Sequence, residues 1–232
     1  LELVSNYGVV RVVHIAGGNY NNNNNLTRNN TNLTINSSVI LLGETTLSGK
    51  VILDGLNNGR IFNVNIGDIN QSLTLVNLTF VNGNVNGSDG NGSALYIINA
   101  NTTISNSEFI NNSANFGGAI YNNDTSNNFK IIDSNFTSNL AINNGGAIYL
   151  NGPKSSNILN STFINLIFNN NSATNGGAIY NNVSNFNLTN STFMNNSATN
   201  GGAIYNNVSN FNLTNSTFMN NRFVSKSCLL KN

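Results

Sequence analysis

The chain has 232 residues, with 39% hydrophobic but only 7% charged residues and a formal net charge of +1. An ordinary globular domain is about a quarter charged; here asparagine, about one residue in four, takes that share, so solubility rests on amides and hydroxyls. The few Lys and Arg are scattered, which excludes an electrostatic footprint for nucleic acid or an anionic membrane, and no apolar window of about eighteen residues exists to span a bilayer.

A single cysteine, Cys228, excludes an intrachain disulfide. Nothing resembling a signal peptide precedes the repeats, and the chain, starting at Leu1, reads as a piece of a longer one. Asn21 to Asn25 reads as a low-complexity tract. Elsewhere Ile, Leu, Val and Phe recur at fixed offsets, which a disordered chain has no reason to maintain.

In chain order, GVVRVVHIAGGNY within residues 1–20 reads as a buried β-branched strand followed by a turn at its Gly pair. His14, the only histidine, lies inside that run and is read as structural. Short strands follow at 32–35, 39–42, 50–53 and 60–64, separated by Asn, Ser and Gly. GETTLSGK (43–50) is rejected as a phosphate loop. It places five residues, not four, between its first Gly and the GK pair, and Val51 follows where a hydroxyl is needed.

From residue 72 a unit repeats: SLTLVNLTF (72–80), NTTISNSEF (101–109), FKIIDSNF (129–136), NILNSTF (157–163), FNLTNSTF (186–193) and its copy at 211–218. Each of the first five is followed by an Asn-rich segment and then GSALY or GGAIY, and residues 171–196 reappear letter for letter at 196–221. Variation in unit length belongs in loops, as at 123–127 and 165–169.

One unit is too small to fold alone. In unit 176–200, strands at 178–181, 186–189 and 192–195 bury their apolar faces only if coils stack, each strand pairing in parallel with its equivalent about 4.8 Å away. The expected fold is therefore an all-β parallel β-helix with three short strands per coil of about 25 residues. Residues 1–221 form one domain, with clear repeats over 73–221 and degenerate coils over 1–72; residues 222–232 are a non-repeat tail at a truncated end.

Period-two geometry points Phe186 and Leu188 inward and Asn187 outward. Phe80, Phe109, Phe136, Phe163, Phe193 and Phe218 form a core column. Asn77, Asn106, Asp133, Asn160, Asn190 and Asn215 form a second column at a sharp corner, where Asn tolerates the left-handed conformation and stacked amides form a ladder. Asn-Asn pairs at 111–112, 195–196 and 220–221 extend that chemistry to the next turn. In GGAIY two parities are open; Ile inward is preferred, because aliphatic stacks fill a narrow coil with no phenol to satisfy.

The motifs GGAIY and F-x-x-N (Phe109 to Asn112, Phe136 to Asn139, Phe193 to Asn196, Phe218 to Asn221) resemble the repeats of chlamydial polymorphic outer membrane proteins. With the context NLTNSTFMNNSA, they also resemble Asn-rich adhesin-like surface proteins of methanogenic archaea. The resemblance covers 73–221 and implies a right-handed β-helix of the pectin-lyase type, secreted and displayed at the cell surface. Phe163 departs from the motif, with Phe168 to Asn171 restoring it after an insertion; the tail at 222–232 departs too.

Two functional classes follow. An enzyme of this fold needs paired carboxylates, or acids holding Ca²⁺ beside a base. The only near pair is Glu108 and Asp133, and Asp133 reads as a corner residue replacing Asn. NGSDGNG (86–92) lacks the spaced acids of a calcium loop and reads as a turn insertion. No cofactor or metal is expected. A binding face has a positive feature: with Ile inward, Tyr96, Tyr121, Tyr149, Tyr180 and Tyr205 form an outward aromatic column suited to surface glycans or proteins of other cells. The competing reading packs these rings over Gly and Asn loops or into the core. Among many Asn-x-Ser/Thr sequences, outward Asn187 and Asn212 are the candidates for glycosylation, and Asn190 and Asn215 are expected to be buried. The chain reads as a non-enzymatic adhesin-like spacer and binding face, with a polysaccharide lyase or hydrolase as the alternative.

Overall fold

Apolar residues alternate in runs of three to five, and most runs are broken by an Asn or Gly suited to positive φ, so strands and corners form where helices cannot. The computed structural model describes residues 11–20, 31–44, 49–67, 70–87, 90–123, 128–152, 161–183, 185–207 and 210–223. Among them there is no helix. The chain winds through three long parallel sheets of eight, eight and seven strands, with a short fourth sheet of five.

One coil shows the plan. Phe186–Thr189 lies in the first sheet, Thr192–Met194 in the second, Ser197–Asn200 in the short fourth sheet and Ile204–Asn206 in the third. Each strand pairs with its equivalent one coil on, Phe186 with Phe211 and Thr192 with Thr217. The solenoid expected from the repeats is thus present, with three strands per coil supplemented by the short fourth ladder. That ladder, built on SATN, escapes pattern reading because only Ala198 of its four residues turns inward.

The early strands fall at Leu33–Ile35, Val39–Gly43, Val51–Asp54 and Phe62–Asn65. The β-branched run forms Arg11–Ile15, but it is not fully buried: Val12 and His14 face outward, and His14 Nδ1 lies 2.7 Å from Glu44 Oε1. The turn expected after it falls at Ala16–Gly17, where the chain passes to strand Gly18–Tyr20 of the second sheet.

Two phenylalanine columns fill the coil. Phe80, Phe109, Phe136, Phe168, Phe193 and Phe218 stack nearly parallel, with centroids 4.9, 4.8, 4.9, 4.7 and 4.8 Å apart. Phe163 is not in this column. It pairs with Ile131 and Leu188 in the first sheet, and its ring packs between Phe129 and Phe186. Phe168 takes the place because only its F-x-x-N phase puts Asn171 into the buried ladder described next.

The corner before the second sheet behaves as its Asn content suggests. Asn77, Asn106, Asp133, Asn190 and Asn215 have φ of 56, 48, 49, 51 and 48°. Asn160 lies outside the described residues; Asn165, φ 56°, holds that corner and donates Nδ2 to Asp133 Oδ1 at 2.8 Å. Asn215 Nδ2 donates to Asn190 Oδ1 at 2.6 Å. Both Asn190 and Asn215 are exposed, contrary to expectation, because the left-handed corner turns the side chain onto the outer edge.

The buried ladder lies one corner later, at the last residue of each F-x-x-N. Asn112, Asn139, Asn171 and Asn196 are buried, and each donates Nδ2 to Oδ1 of the next coil's Asn at 2.9 to 3.0 Å. The same Nδ2 groups donate to the carbonyls of Phe80, Phe109, Phe136 and Phe168. Each Oδ1 from Asn139 onward also takes the preceding Asn's backbone N–H. With Gly83 N–H donating to Asn112 Oδ1, every side-chain polar atom of these four ladder amides is satisfied, which offsets their desolvation.

Candidate functional site

The third sheet is entered through a Gly pair that admits no side chain. Gly176 has φ 66°, and a Cβ there would strike Ile179 O; one on Gly177 would strike Gly202 O. This entry sets the parity: Ile120, Ile148 and Ile179 are wholly buried and the tyrosines beside them face outward. Tyr96, Tyr121, Tyr149, Tyr180 and Tyr205 are register partners from coil to coil.

The rings do not lie flat as a platform. Successive centroids are 5.5, 5.0, 4.9 and 5.0 Å apart, with interplanar angles of 47, 65, 67 and 6°. Each ring spends face area on its neighbours, and Tyr121 is only 9% exposed while the other four are half-buried. What the row offers is ring edges and phenol hydroxyls. Burial, then the neighbouring phenols of Tyr121 and Tyr180, push Tyr149 up to about 12 against a hydrogen bond from Asn144 that lowers it. Burial and Tyr96 raise Tyr121, partly opposed by Asn151, and burial and Tyr205 raise Tyr180. These three are neutral donors at physiological pH.

Two amide rails border the row. On one side Asn151 donates to Asn123, Asn182 to Asn151 and Asn207 to Asn182, at 2.8, 3.2 and 3.1 Å. On the other, Asn175 donates to Asn144 at 2.8 Å and Asn200 to Asn175 at 2.7 Å. Asn151 Nδ2 also donates to Tyr121 Oη at 3.2 Å, tying rail to row. Where the second rail would reach the next coil stands Phe116, its ring 5.8 Å from Tyr149. The Arg60 guanidinium lies 4.9 Å from the Tyr96 centroid and donates to Asn91 O and Gly92 O.

Sequence reading placed the five tyrosines but not the rails, Phe116 or Arg60. The rails carry a legible signal, since Asn falls two residues after Tyr121, Tyr149, Tyr180 and Tyr205 and directly before the Gly pairs at 145, 176 and 201. Arg60 carries none, because its partner Tyr96 is a coil away.

The acidic candidates are engaged elsewhere. Glu108 Oε1 pairs with Lys50 Nζ at 2.6 Å, and Asp54 Oδ1 accepts from Leu56 N and Asn82 Nδ2. Asp68, Asp89, Asp124, Cys228 and the middle of GETTLSGK lie outside the described residues. Among the described residues no group of three or more His, Cys, Asp or Glu could hold a metal ion, and no helix is long and apolar enough to cross a membrane. Asn187 is half-buried on a strand, and Asn212, exposed, donates to it at 2.8 Å.

Four segments match the Chlamydia polymorphic membrane protein repeat: residues 106–123, 133–151, 165–182 and 190–207. Each begins on a left-handed corner residue, Asn106, Asp133, Asn165 or Asn190, and ends on a rail residue, Asn123, Asn151, Asn182 or Asn207. The matching unit thus runs from the corner through the second sheet, the buried Asn and the Gly pair to the tyrosine, and omits the first sheet. No curated protein and no solved structure matches the chain.

Proposed function

We propose that this protein is a non-enzymatic, adhesin-like component of a cell surface. In this reading the β-helix is a rigid spacer, and the Tyr96–Tyr205 row with its asparagine rails is the face that binds glycans or proteins of other cells. The observation that carries it is the in-register outward row of phenols between amide ladders, a surface of donors and acceptors repeating at one coil spacing with ring edges between them. Similarity to the polymorphic membrane protein repeat supports the location. Phenol hydroxyls and carboxamides are uncharged, so the ligand class is polar and hydroxyl-rich rather than strongly ionic.

The test is substitution of Tyr149, Tyr180 and Tyr205 together, once by Ala and once by Phe, with binding read on glycan arrays and on cells. Both sets are expected to lose binding, the Phe set because hydroxyls rather than ring faces are on offer. Undiminished binding by a folded Ala variant sinks the assignment.

A further inference from the structure

In-register stacking brings identical side chains within reach of one another, and for tyrosine this has a covalent consequence. Tyr180 and Tyr205 are direct partners in adjacent parallel strands, with centroids 5.0 Å apart and planes within 6°. Both are half-buried, so both ring edges meet solvent. Elsewhere in the row the geometry is poorer. Tyr121–Tyr149 and Tyr149–Tyr180 are edge-to-face at 65 and 67°, Tyr96–Tyr121 is tilted and wider, and Tyr121 is buried.

We propose that Tyr180 and Tyr205 form an oxidative cross-linking site, joined as a dityrosine staple between adjacent coils by a peroxidase using hydrogen peroxide. The peroxidase takes one electron and one proton from each phenol, and hydrogen peroxide, receiving two of each, leaves as two waters. The two phenoxyl radicals join through one ortho carbon of each ring. The hydrogen on each joined carbon then moves to its phenoxyl oxygen as aromaticity returns. Two ring C–H bonds break, one C–C bond forms, and the chain loses two hydrogen atoms. Rotation about Cβ–Cγ, a soft torsion for Tyr, turns the ortho carbons of the stacked rings toward each other, and a tilt of the two side chains at their first torsions closes the remaining gap while the strands stay paired.

The staple supplies what this chain cannot obtain from thiols. With one cysteine it has no intrachain disulfide, and among the described residues its coils are joined by non-covalent contacts: hydrogen bonds, packing and the Lys50–Glu108 ion pair.

The experiment treats the dilute chain with peroxidase and hydrogen peroxide and reads dityrosine fluorescence, intact mass and peptide maps after cleavage between residues 180 and 205. A monomer lighter by two hydrogens, with its linkage at Tyr180–Tyr205, is expected. Tyr205→Phe, which keeps the stacked ring, loses the linkage and most of the fluorescence, and Tyr20→Phe retains both. Absence of dityrosine, linkage between chains, linkage through Tyr20, or full yield in Tyr205→Phe overturns the proposal.

Discussion

Replacing Asn171 by Ala removes the middle rung of the buried ladder, and the cost follows from its partners. Its Oδ1 accepts from the backbone N–H and the Nδ2 of Asn139, and its Nδ2 donates to Phe136 O and Asn196 Oδ1. All four partner groups belong to a water-excluded wall, with Asn139 and Asn196 buried and the Phe136 side chain wholly inside. Asn139 Nδ2 keeps its bond to Phe109 O and Asn196 Oδ1 keeps the one from the Asn171 N–H, so the substitution strips its side-chain partner from the Asn139 N–H and from Phe136 O. At about 1 kcal/mol or more for each buried group left without a partner, the predicted loss is about 2 kcal/mol or more. The control is its neighbour Asn170, exposed at φ 58° and bonded through its side chain to Ser138 Oγ. Glycine adopts positive φ freely, so Asn170→Gly is expected to change stability by less than about 0.5 kcal/mol, the range of an ordinary surface substitution. Because solenoid coils can unfold separately, hydrogen exchange resolved by coil should accompany denaturant titration, with protection lost first over residues 134–200. If Asn171→Ala costs no more than Asn170→Gly, the ladder does not hold the coils together as argued.

Three further outcomes follow from single sites. Asn122 Oδ1 is buried without a partner, and the neighbours in its column are Ile97 and Leu150; Asn122→Leu should stabilise by about 1 kcal/mol in denaturant titration, by removing an orphaned acceptor. Gly177→Ala drives a Cβ into Gly202 O and should destabilise by about 2 kcal/mol or prevent folding, as seen in thermal unfolding. Tyr149 is held as the neutral phenol by burial, so its folded pKa of about 12 exceeds the unfolded 10.0. Below pH 10 both states carry the proton and stability is constant; between 10 and 12 the unfolded state alone releases it, and stability falls as pH rises. Phenolate absorbance should show a class of late-titrating tyrosines, diminished in Tyr149→Phe.

The fold was legible because one coil is printed twice. Residues 171–196 and 196–221 state the column partners directly, and Phe186, Leu188 and Phe193 face inward as period two requires. What escaped were features decided by neighbouring coils. Phe163 and Phe168 both suit an inward position, and only the need of Asn139 and Asn196 for an amide between them selects the phase. Asn190 and Asn215 were placed at the right corner with the wrong exposure, because a ladder can run along the surface as readily as inside, and φ alone does not distinguish them. The tyrosines were placed outward, but their tilts arise from ring-on-ring packing that no single coil specifies.

The limits of the matching repeat explain how such a face tolerates irregular coils. Its four matches run from corner to rail, and most of the residues that differ in number between coils fall between them, at 124–132, 152–164 and 183–189; one extra residue, within Leu140–Asn144, falls inside a match and is absorbed as a bulge in the fourth sheet. Each match contains the core phenylalanine of its coil, the buried asparagine, the Gly pair and the tyrosine. Phe stacking at 4.7 to 4.9 Å and the buried amides therefore set the rise within the same segment that carries the ring. An insertion in the omitted arc lengthens the first-sheet side without changing the spacing of the row: Tyr121 to Tyr149 and Tyr149 to Tyr180 span 28 and 31 residues of chain, yet their centroids are 5.0 and 4.9 Å apart. Adding several polar residues to segment 153–160 should accordingly leave the register of the row, and any binding it carries, unchanged. Adding one residue between Gly177 and Ile179 should abolish that binding, because the fixed Gly pair then leaves Ile179 outward and Tyr180 in the core; one more between Asn171 and Gly176 should not, since Leu140–Asn144 already carries such an extra residue as a bulge while Tyr149 still pairs with Tyr180.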